Sequence, residues 1–401
     1  MNQNRFVTDK VNILSHKPPF AVAHFDADAF FTSVEQAADR RLRNRPVAVG
    51  GGRRGIIACA SYEARAKGIY TPMPTSQARQ RCPELIILPG RFELYEEFSQ
   101  NVFGLCRDIT PTVEQTSIDE GYLDLTSTQG TNPSHIIKRL RKLDEDILGW
   151  LKITVSQGLG ANKLISQIAS KLHKPHGFMA VPAGRERAFL ATLPLQNLPG
   201  IGPRTLQRLT DCGFARIGDL LTCPQEELQP ILGKRTEPIR QMARGEDDRR
   251  ILPEAPPAQS MSQQKTFAAD QEEEAVVCRE AKILLADLLT RLREQNKQAR
   301  TLSLRLRYCD WETSERHESL DEPSDLESDF LPLLPSLLRR CWQRRVRIRL
   351  LAVKLDNFYP SFEQTKLWPD QTSRRRKLAR AMDQINHQYG PHTLHHGFRF
   401  P

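Results

Sequence analysis

The segment TVEQTSIDEGYLDLT (residues 112–126) places two acidic residues side by side inside a strand-like pattern. Apolar and polar residues alternate along it, which is typical of a half-buried strand, and Asp119 and Glu120 fall at the predicted hairpin tip. The segment contains no Lys or Arg. Because crowded carboxylates repel each other, the pair is expected to be neutralised by a cation.

A third carboxylate closes an apolar run near the start of the chain. In HFDADAFF (residues 24–31), Asp26 ends the run and helical spacing begins at Phe30. Two strands lying side by side would bring Asp26 next to Asp119 and Glu120. Mg²⁺ prefers oxygen ligands and is commonly held through one or two carboxylates, so this set indicates two-metal phosphoryl transfer. A solvated turn is the ordinary interpretation of an isolated Asp-Glu pair, but it does not account for the third carboxylate.

Length and charge limit the class of protein. A chain of 401 residues is expected to form two to four domains, each with its own core. The 58 Lys and Arg residues exceed the 48 acidic ones, giving a formal charge of +10, which favours nucleic acid or an anionic membrane surface as partner. The sequence has no apolar run long enough to span a bilayer, and its start, MNQNRFVTDK, lacks the apolar core typical of a signal peptide. These features predict a soluble, intracellular protein.

The pattern of elements changes along the chain. Short predicted strands and helices mix up to about residue 181, and the texture is helical from about residue 186. PEAPPAQSMSQQ is rich in Pro and polar residues and is predicted to be a linker. A long amphipathic helix is predicted over residues 272–298, followed by further strands and helices. The chain is therefore predicted to be an α+β protein with several domains.

LQNLPGIGPRT (residues 195–205) predicts a Gly-rich hairpin between two helices. Backbone amides around Gly200 and Gly202 could face a phosphate, as helix N-termini do. This pattern resembles a helix-hairpin-helix, which grips the DNA backbone without reading sequence. A plain turn between packed helices is the alternative.

Two strand candidates after the linker carry alternating arginines. RTLSLRLRYCDW contains Arg305 and Arg307, and RRVRIRLLAVKLDNF contains Arg345, Arg347 and Arg349. Period-two alternation places such side chains on one sheet face, opposite the face that packs on helices. A basic sheet face favours binding to a nucleic-acid backbone, whereas a merely solvated face would more usually mix the two signs of charge.

Five motifs together resemble the Y-family translesion DNA polymerases, and most closely their DNA polymerase IV group. The resemblance covers about residues 20 to 360 and is carried, in order, by HFDADAFFTSVE, ASYEARAKGI, SIDEGYLDL, ASKLHKPHG and LPGIGPRT. It implies an α+β, multidomain right-hand polymerase with a ferredoxin-like palm, small fingers, a helical thumb containing the helix-hairpin-helix, and an α/β little finger.

The family architecture implies domain bounds in this sequence. The implied bounds are residues 1–29 and 91–181 for the palm, 30–90 for the fingers, 182–250 for the thumb, 251–261 for the linker, 262–360 for the little finger and 361–401 for a C-terminal tail.

The resemblance also assigns the carboxylates. Asp26 and Asp119 would bridge two Mg²⁺ ions, with Mn²⁺ as an alternative, and Glu120 would complete the ion that activates the primer 3′-hydroxyl. The backbone carbonyl of Ala27 would add a ligand to the ion on the incoming nucleotide. The implied reaction is in-line attack on the α-phosphate of a dNTP with release of pyrophosphate.

Other residues match positions that hold the nucleotide. Tyr62, Arg65 and Lys174 match the triphosphate-binding positions, and a hydroxyl, a guanidinium and an ammonium suit phosphate. Phe31 matches the steric gate, a ring that leaves no room for a 2′-hydroxyl. Ile56 and Ala58 match the roof over the nascent base pair, and their modest size implies a site that tolerates distorted bases.

The family's DNA contacts map to the glycines of the hairpin and to the Arg-bearing strands. The implied residues are Gly200, Gly202, Arg305, Arg307, Arg347 and Arg349. In the tail, FEQTKLWPD resembles the peptide by which bacterial polymerases of this kind dock on the sliding clamp, with Gln364, Leu367 and Trp368 as anchors. The implied partners are primer–template DNA, dNTP and the clamp, with no membrane, for a monomer in the cytoplasm at the nucleoid.

Two other function classes compete with this interpretation. A non-catalytic adaptor binding the clamp and another polymerase would have lost metal ligands, whereas Asp26, Asp119 and Glu120 are all present. A nucleotide cyclase can combine a palm-like sheet with two-metal chemistry, but it would not need a helix-hairpin-helix or a basic second domain. Low-fidelity translesion synthesis is the predicted function.

Overall fold

The structure is a computed structural model, and it describes residues 21–52, 54–126, 133–254, 256–361, 371–390 and 393–394. The chain divides into two compact units, residues 1–255 and residues 256–401, called here the N-terminal and C-terminal units. No helix within the described ranges is long and apolar enough to cross a membrane.

The N-terminal unit combines two sheets with helices. Its strands are β1 (Val22–Ala27), β2 (Val47–Gly50), β3 (Ile56–Ala60), β4 (Met73–Pro74), β5 (Ile86–Leu88), β6 (Val113–Gln115), β7 (Glu120–Asp124), β8 (Val155–Gly160) and β9 (Phe178–Ala180). Its helices are α1 (Phe30–Ala38), α2 (Tyr62–Ala66), α3 (Thr75–Arg81), α4 (Phe92–Ile109), α5 (Pro133–Leu151), α6 (Lys163–Leu172), α7 (Glu186–Ala191), α8 (Pro203–Asp211), α9 (Asp219–Thr222), α10 (Gln225–Leu232) and α11 (Thr236–Arg244). Short 3₁₀ helices cover Arg40–Leu42, Leu195–Asn197 and Gly233–Arg235.

The first sheet has the strand order β6-β7-β1-β8-β9, with β1 at its centre. All six residues of β1 are buried, because helices cover both faces of the sheet. Ala23, Phe25 and Ala27 share a core with α4 and α5. The alternate residues His24 and Asp26 therefore face the other side, where α6 lies.

Glycine lets α6 lie close to this second face. A Cβ at Gly158 of β8 would come within 2.0 Å of the Ser166 carbonyl oxygen, and one at Gly160 within 2.7 Å of Ile165. A side chain at either position would push α6 away from β1. The close approach places the C-terminal end of α6 beside the Asp26 side chain.

The second sheet has the order β4-β3-β2-β5 and its own small core, which includes Ile57 and Met73. Phe30 and Val34 of α1, by contrast, pack in the core of the first sheet. The second sheet thus begins at Val47, later than the bound of residue 30 predicted for the fingers. Helices α7 to α11 share a further core with α6.

The C-terminal unit is one antiparallel sheet covered by helices. Its elements are β10 (Ser260–Gln271), α12 (Glu274–Glu294), β11 (Lys297–Tyr308), β12 (Thr313–Ser324), α13 (Glu327–Phe330), α14 (Leu334–Cys341), β13 (Ile348–Pro360) and α15 (Gln371–Tyr389), with a 3₁₀ helix at Leu331–Leu333. The strand order is β10-β13-β11-β12. Leu302, Leu304 and Leu306 face α12 and α14 across the core.

Two predicted boundaries differ from the structure. β10 begins at Ser260, so the last two residues of the predicted linker already pair with β13. The predicted helix over residues 272–298 is shorter, since α12 ends at Glu294 and β11 begins at Lys297. Asn296, with a φ of 51°, makes the turn between them.

The terminal helix α15 packs on the rest of the C-terminal unit. The buried Arg293 guanidinium donates to both carboxylate oxygens of Asp383, at 2.6 and 3.0 Å, and also pairs with Glu327. Arg376 of the same helix donates to Asp325. These contacts fix α15 against α12.

We expect Asp383→Ala to destabilise this unit by about 2 kcal/mol, because it leaves the buried Arg293 with only part of its charge compensation. Equilibrium denaturation of the full chain measures the loss. Glu315→Ala, which breaks the exposed pair between Glu315 and Arg305, is the matched control and should change stability by about 0.5 kcal/mol or less. Equal effects of the two variants would show that α15 is not docked through Asp383.

Candidate active site

The fold brings the three predicted carboxylates to one place. Asp26 of β1 lies directly opposite Glu120 of β7 in the antiparallel register. The Ala27 amide donates to the Asp119 carbonyl at 2.9 Å, which fixes the hairpin tip against the end of β1. Asp119 and Glu120 are partly exposed, and Asp26 is buried.

Ser117 organises the hairpin tip. Its hydroxyl donates to Asp119 Oδ1 at 2.5 Å and accepts from the amides of Asp119 and Glu120 at 3.2 and 3.0 Å. This local side-chain turn holds both acidic residues in a defined conformation. The Asp-Glu pair is therefore part of a built turn and not a loose loop.

Two lysines at the end of α6 face the carboxylates. The Lys174 ammonium pairs with Asp26 Oδ1 and lies 3.6 Å from Asp28. Lys171 lies 3.0 Å from Glu120 Oε2 and 3.8 Å from Asp26 Oδ2. Lys171 was not singled out in the sequence, although it lies three residues before Lys174, a spacing that places both near one helix end.

The donor set suits a hard divalent cation. Asp26, Asp119 and Glu120 supply carboxylate oxygens, and two ammonium groups leave part of their negative charge uncompensated. Within the described residues, no three His, Cys, Asp or Glu side chains are arranged to hold a metal ion, and the ammonium groups of Lys171 and Lys174 contact the carboxylates. The chemistry of the oxygens fits Mg²⁺, and binding would require the ammonium groups to move aside.

Asp28 supports this site and was missed by sequence analysis. It is buried, and it accepts hydrogen bonds from Thr154 Oγ1, Ser156 Oγ and the His176 amide at 2.9, 2.8 and 2.7 Å. These contacts join the end of β1 to β8 and to the loop that carries Lys174. The only sequence signal is its place two residues after Asp26.

His24 also faces the site and was missed. It is fully buried, its Nδ1 lies 2.8 Å from Ser170 Oγ, and its Nε2 lies 3.7 Å from Glu120 Oε2. Burial lowers the pKa of His24 to about 3, with help from the neighbouring charges of Lys171, Lys174 and Lys163. The imidazole is therefore neutral at any physiological pH. A His within an otherwise apolar run was the available signal.

The predicted triphosphate residues lie near the carboxylates but on different elements. Lys174 pairs with Asp26, as described above, whereas Tyr62 and Arg65 belong to α2. The Arg65 guanidinium lies 4.8 Å from the centre of the Tyr62 ring, and its Nε donates to the Ala60 carbonyl.

The Tyr62 hydroxyl is buried and, among the described residues, has no hydrogen-bond partner. Burial and the nearby Asp28 carboxylate raise the pKa of Tyr62 to about 12, so the hydroxyl keeps its proton. It is a donor available to a phosphate oxygen. An unpartnered buried donor at this position fits the triphosphate role that the sequence implied.

Phe31 lies in a cluster of rings at the start of α1. It stacks on Tyr95, with ring centres 4.5 Å apart and planes at 19°, and it contacts Phe92 edge-on. The Tyr95 hydroxyl donates to the buried Glu35 carboxylate at 2.7 Å, and Arg91 pairs with the same group. Phe31 is partly exposed, whereas Phe30 beside it is buried in the core.

The predicted roof residues share one open face. Ile56 and Ala58 of β3 are exposed, with Ile56 at 53%, while the alternating Ile57 and Cys59 are buried. A large apolar side chain that is more than half exposed is available to cover a bound base pair.

The hairpin of the predicted helix-hairpin-helix has the expected backbone. Gly200 has a φ of +87° and Gly202 precedes α8, which begins with Pro203. The Gly200 carbonyl accepts a hydrogen bond from the Arg235 guanidinium. The element before the hairpin is only the 3₁₀ helix Leu195–Asn197, shorter than predicted.

The arginines of the C-terminal unit are less uniform than predicted. Arg305 and Arg307 lie on β11 opposite its core-facing leucines, but Arg305 pairs with Glu315 at 2.7 Å. Arg307 and Arg349 lie 5.9 and 4.6 Å from the exposed Trp311 ring. The face mixes the two signs of charge, contrary to the expectation of a purely basic surface.

The placement of Arg347 in a strand was wrong. β13 begins at Ile348, so Arg347 directly precedes the strand and Arg345 lies in the bend before it. The Arg347 carbonyl accepts from the Cys309 amide, and its guanidinium pairs with Glu272. Gln364, Leu367 and Trp368 lie outside the described residues.

Known protein families match three successive parts of the chain. Residues 25–171 match the impB/mucB/samB family, residues 258–367 match the C-terminal domain of that family, and residues 196–247 match the thumb domain of DNA polymerase-iota. DNA polymerase IV of Opitutus terrae is 42% identical over 377 residues, covering 94% of this chain and 96% of the relative. DNA polymerase IV of Halorhodospira halophila is 36% identical over 351 residues, covering 86% and 98%.

Solved structures agree. A Y-family DNA polymerase chimera of Dbh and Dpo4 is 26% identical with a TM-score of 0.77, covering 84% of this chain and 99% of the chimera. The insertion ternary complex of Dbh DNA polymerase has the same identity and coverage with a TM-score of 0.59. Fold and comparisons define a DNA-directed DNA polymerase of the Y family, the translesion class. Within that class, the chain belongs to the DNA polymerase IV family.

Proposed function

We propose that this polymerase performs low-fidelity translesion synthesis by nucleotidyl transfer at Asp26, Asp119 and Glu120. The observation that carries the proposal is the pairing of Asp26 with Glu120 in register, with Asp119 tied to Ala27. One buried and two partly exposed carboxylates close together are unfavourable unless a cation neutralises them, and a cation there could also bind an anionic substrate.

The proposed cofactor is a pair of divalent cations, Mg²⁺ with Mn²⁺ as an alternative. Asp26 and Asp119 would each bind both ions. Glu120 would bind the ion at the primer 3′-hydroxyl, and the Ala27 carbonyl would bind the ion on the incoming nucleotide. When bound, the ions would make the primer 3′-hydroxyl a better nucleophile and offset the charge of the triphosphate. Ser117 contributes by fixing the turn that presents Asp119.

The chain's own cations would hold the incoming dNTP. Lys174 lies beside Asp26 and Asp28, and a phosphate oxygen would give its ammonium a further anionic partner. Tyr62 offers a protonated hydroxyl, and Arg65 offers the free part of its guanidinium. Donors fixed before the reaction stabilise the charge that develops as pyrophosphate leaves.

The same geometry supports the proposed choice of substrate. Phe31, held by stacking on Tyr95, would lie against the sugar and exclude a 2′-hydroxyl. Ile56 and Ala58 would cover the base pair from an open sheet face, which leaves room for an altered base.

The proposed domains follow the family. The first sheet is the palm, the second sheet belongs to the fingers, helices α7 to α11 form the thumb and the C-terminal unit contains the little finger. Primer–template DNA would contact the amides near Gly200 and Gly202 and the guanidinium groups of Arg305, Arg307 and Arg349. Arg347 would contribute outside the strand. Contacts of this kind go to phosphates and are independent of sequence.

Primer extension tests the proposed function. With Mg²⁺ and all four dNTPs, we expect distributive extension on an undamaged template and continued extension past a minor-groove guanine adduct, because the exposed roof gives an altered base space. Product lengths on a denaturing gel provide the measurement. A folded, DNA-binding chain that extends neither template would favour the non-catalytic adaptor instead.

The sequence of the C-terminal tail alone is the basis for proposing that this polymerase binds the sliding clamp. Gln364, Leu367 and Trp368 would seat in a pocket of the bacterial sliding clamp. We expect Leu367→Ala/Trp368→Ala to abolish stimulation of extension by the clamp, with extension on naked primer–template unchanged. Trp150→Ala, which removes another exposed Trp, is the control. Unchanged stimulation in the double variant would rule out this peptide.

A further inference from the structure

His24 carries a buried polar atom that the proposed mechanism does not use. Its ring is fully buried between β1, β7 and α6, at 4.6 Å from the Tyr122 ring. Nδ1 is satisfied by the Ser170 hydroxyl. Nε2 has no hydrogen-bond partner among the described residues, and the nearest acceptor is Glu120 Oε2 at 3.7 Å. Burying an unpaired polar nitrogen is unfavourable, so the position of Nε2 needs an explanation.

Electrostatics decides which nitrogen carries the proton. If Nδ1 were protonated, the Nε2 lone pair would face the Glu120 carboxylate, an unfavourable arrangement in a buried site. If the Ser170 hydroxyl donates to Nδ1, the proton lies on Nε2 and faces that carboxylate. The Ser170 hydroxyl can also donate to the Gln167 carbonyl, which lies 2.9 Å away; when its proton turns to Nδ1 instead, that carbonyl keeps the Lys171 amide as its ordinary helical partner. The second arrangement therefore leaves no acceptor unsatisfied.

We propose that His24 is a positioning residue for Glu120, with Ser170 fixing its tautomer and Nε2–H holding one oxygen of the carboxylate. This inference rests on the proposed role of Glu120 as a metal ligand. In the structure, Glu120 Oε2 is bound by Lys171 at 3.0 Å, and His24 lies slightly beyond hydrogen-bond range. When the carboxylate exchanges the ammonium for a metal, a shift of about half an ångström toward His24 would complete the bond.

The contacts from Ser170 through His24 to Glu120 resemble the hydrogen bonds that orient the ligands of metal sites in other proteins. A ligating carboxylate is commonly held by a further hydrogen bond, and loss of that partner weakens metal affinity by about 10- to 100-fold. Here the partner comes from β1, the same strand that supplies Asp26, so one strand would set two parts of the site. A purely structural His would affect stability but not metal affinity.

The test compares His24→Phe, which keeps a ring, with His24→Gln, which restores an amide N–H. Two properties are measured: the Mg²⁺ concentration giving half-maximal primer extension, and Mn²⁺ binding to the full chain with dideoxy-terminated primer–template and dNTP, followed by electron paramagnetic resonance. Thermal melting reports the fold. We expect His24→Phe to raise the half-maximal Mg²⁺ concentration and to weaken Mn²⁺ binding, each by about 10- to 100-fold. His24→Gln should recover most of this loss.

Ser170→Ala provides a second route if His24→Phe fails to fold. It leaves His24 in place but removes the proton donated to Nδ1, so metal affinity should fall in the same direction. Ser99→Ala, a buried serine on α4, is the matched control and should leave metal affinity unchanged. Metal dependence within about twofold of wild type for both His24→Phe and Ser170→Ala would overturn the inference, as would equal losses in His24→Phe and His24→Gln.

Glu120→Gln separates this inference from the proposed function. If Glu120→Gln binds Mn²⁺ like the wild type, the proposed ligand set is wrong and the role of His24 falls with it. If Glu120→Gln loses binding while the His24 and Ser170 variants keep it, only the positioning role is overturned.

Discussion

Asp119→Asn should lower the rate of primer extension by about 10³-fold or more, with DNA binding and thermal stability near wild type. The substitution is nearly isosteric, and an amide oxygen can still accept the hydrogen bond that Ser117 donates to Asp119. The turn should therefore persist while one negative charge is lost. Because Asp119 would serve both cations, a fall in the maximal rate is expected even at saturating Mg²⁺ and dNTP.

Single-turnover extension with rapid mixing measures this effect, and fluorescence anisotropy with labelled primer–template measures DNA binding. Asp124→Asn is the matched control. Asp124 lies at the other end of β7, where its carboxylate accepts from the Thr126 amide at 2.8 Å, far along the strand from Asp26. The rate for this control should stay unchanged. Extension by Asp119→Asn within tenfold of wild type would exclude the proposed metal site.

The carboxylate site could be predicted because its signals are local. Asp26 ends a buried strand, and the Asp-Glu pair begins another, so pairing of the two strands was enough to join them. Ile56 and Ala58 share a face for the same reason, since period-two alternation is a property of a single strand. The α+β class followed from the sequence of elements and the family motifs.

The supporting residues could not be predicted because their roles depend on contacts between distant segments. Asp28 meets Thr154 and Ser156 across the sheet, and His24 meets Ser170 only because Gly158 lets α6 approach. The predicted strand position of Arg347 was wrong for a related reason. The alternation of Arg and apolar residues extends to residues before Ile348, whereas the start of β13 at Ile348 depends on pairing with β10 and β11.

Phe31→Ala should raise incorporation of ribonucleotides relative to deoxynucleotides by about 10²-fold. The expected size corresponds to removal of a steric conflict of a few kcal/mol with the 2′-hydroxyl. The conflict is strong only if the ring cannot move, and Phe31 is held by stacking on Tyr95, itself fixed by the hydrogen bond to Glu35. Relative kcat/KM for one dNTP and the matching rNTP opposite the same template base gives the ratio.

Phe92→Ala distinguishes the gate from a general loosening of the ring cluster. Phe92 contacts Phe31 edge-on at 5.8 Å and is 61% exposed, so its removal loosens the cluster but leaves the Phe31 ring in place. We expect its sugar preference to stay close to wild type, while Phe31→Ala loses most of that preference. If both variants accept ribonucleotides equally, the order of the cluster and not the Phe31 ring would set sugar choice. If neither variant accepts ribonucleotides, the Phe31 ring does not lie against the sugar, and the proposed steric gate would be wrong.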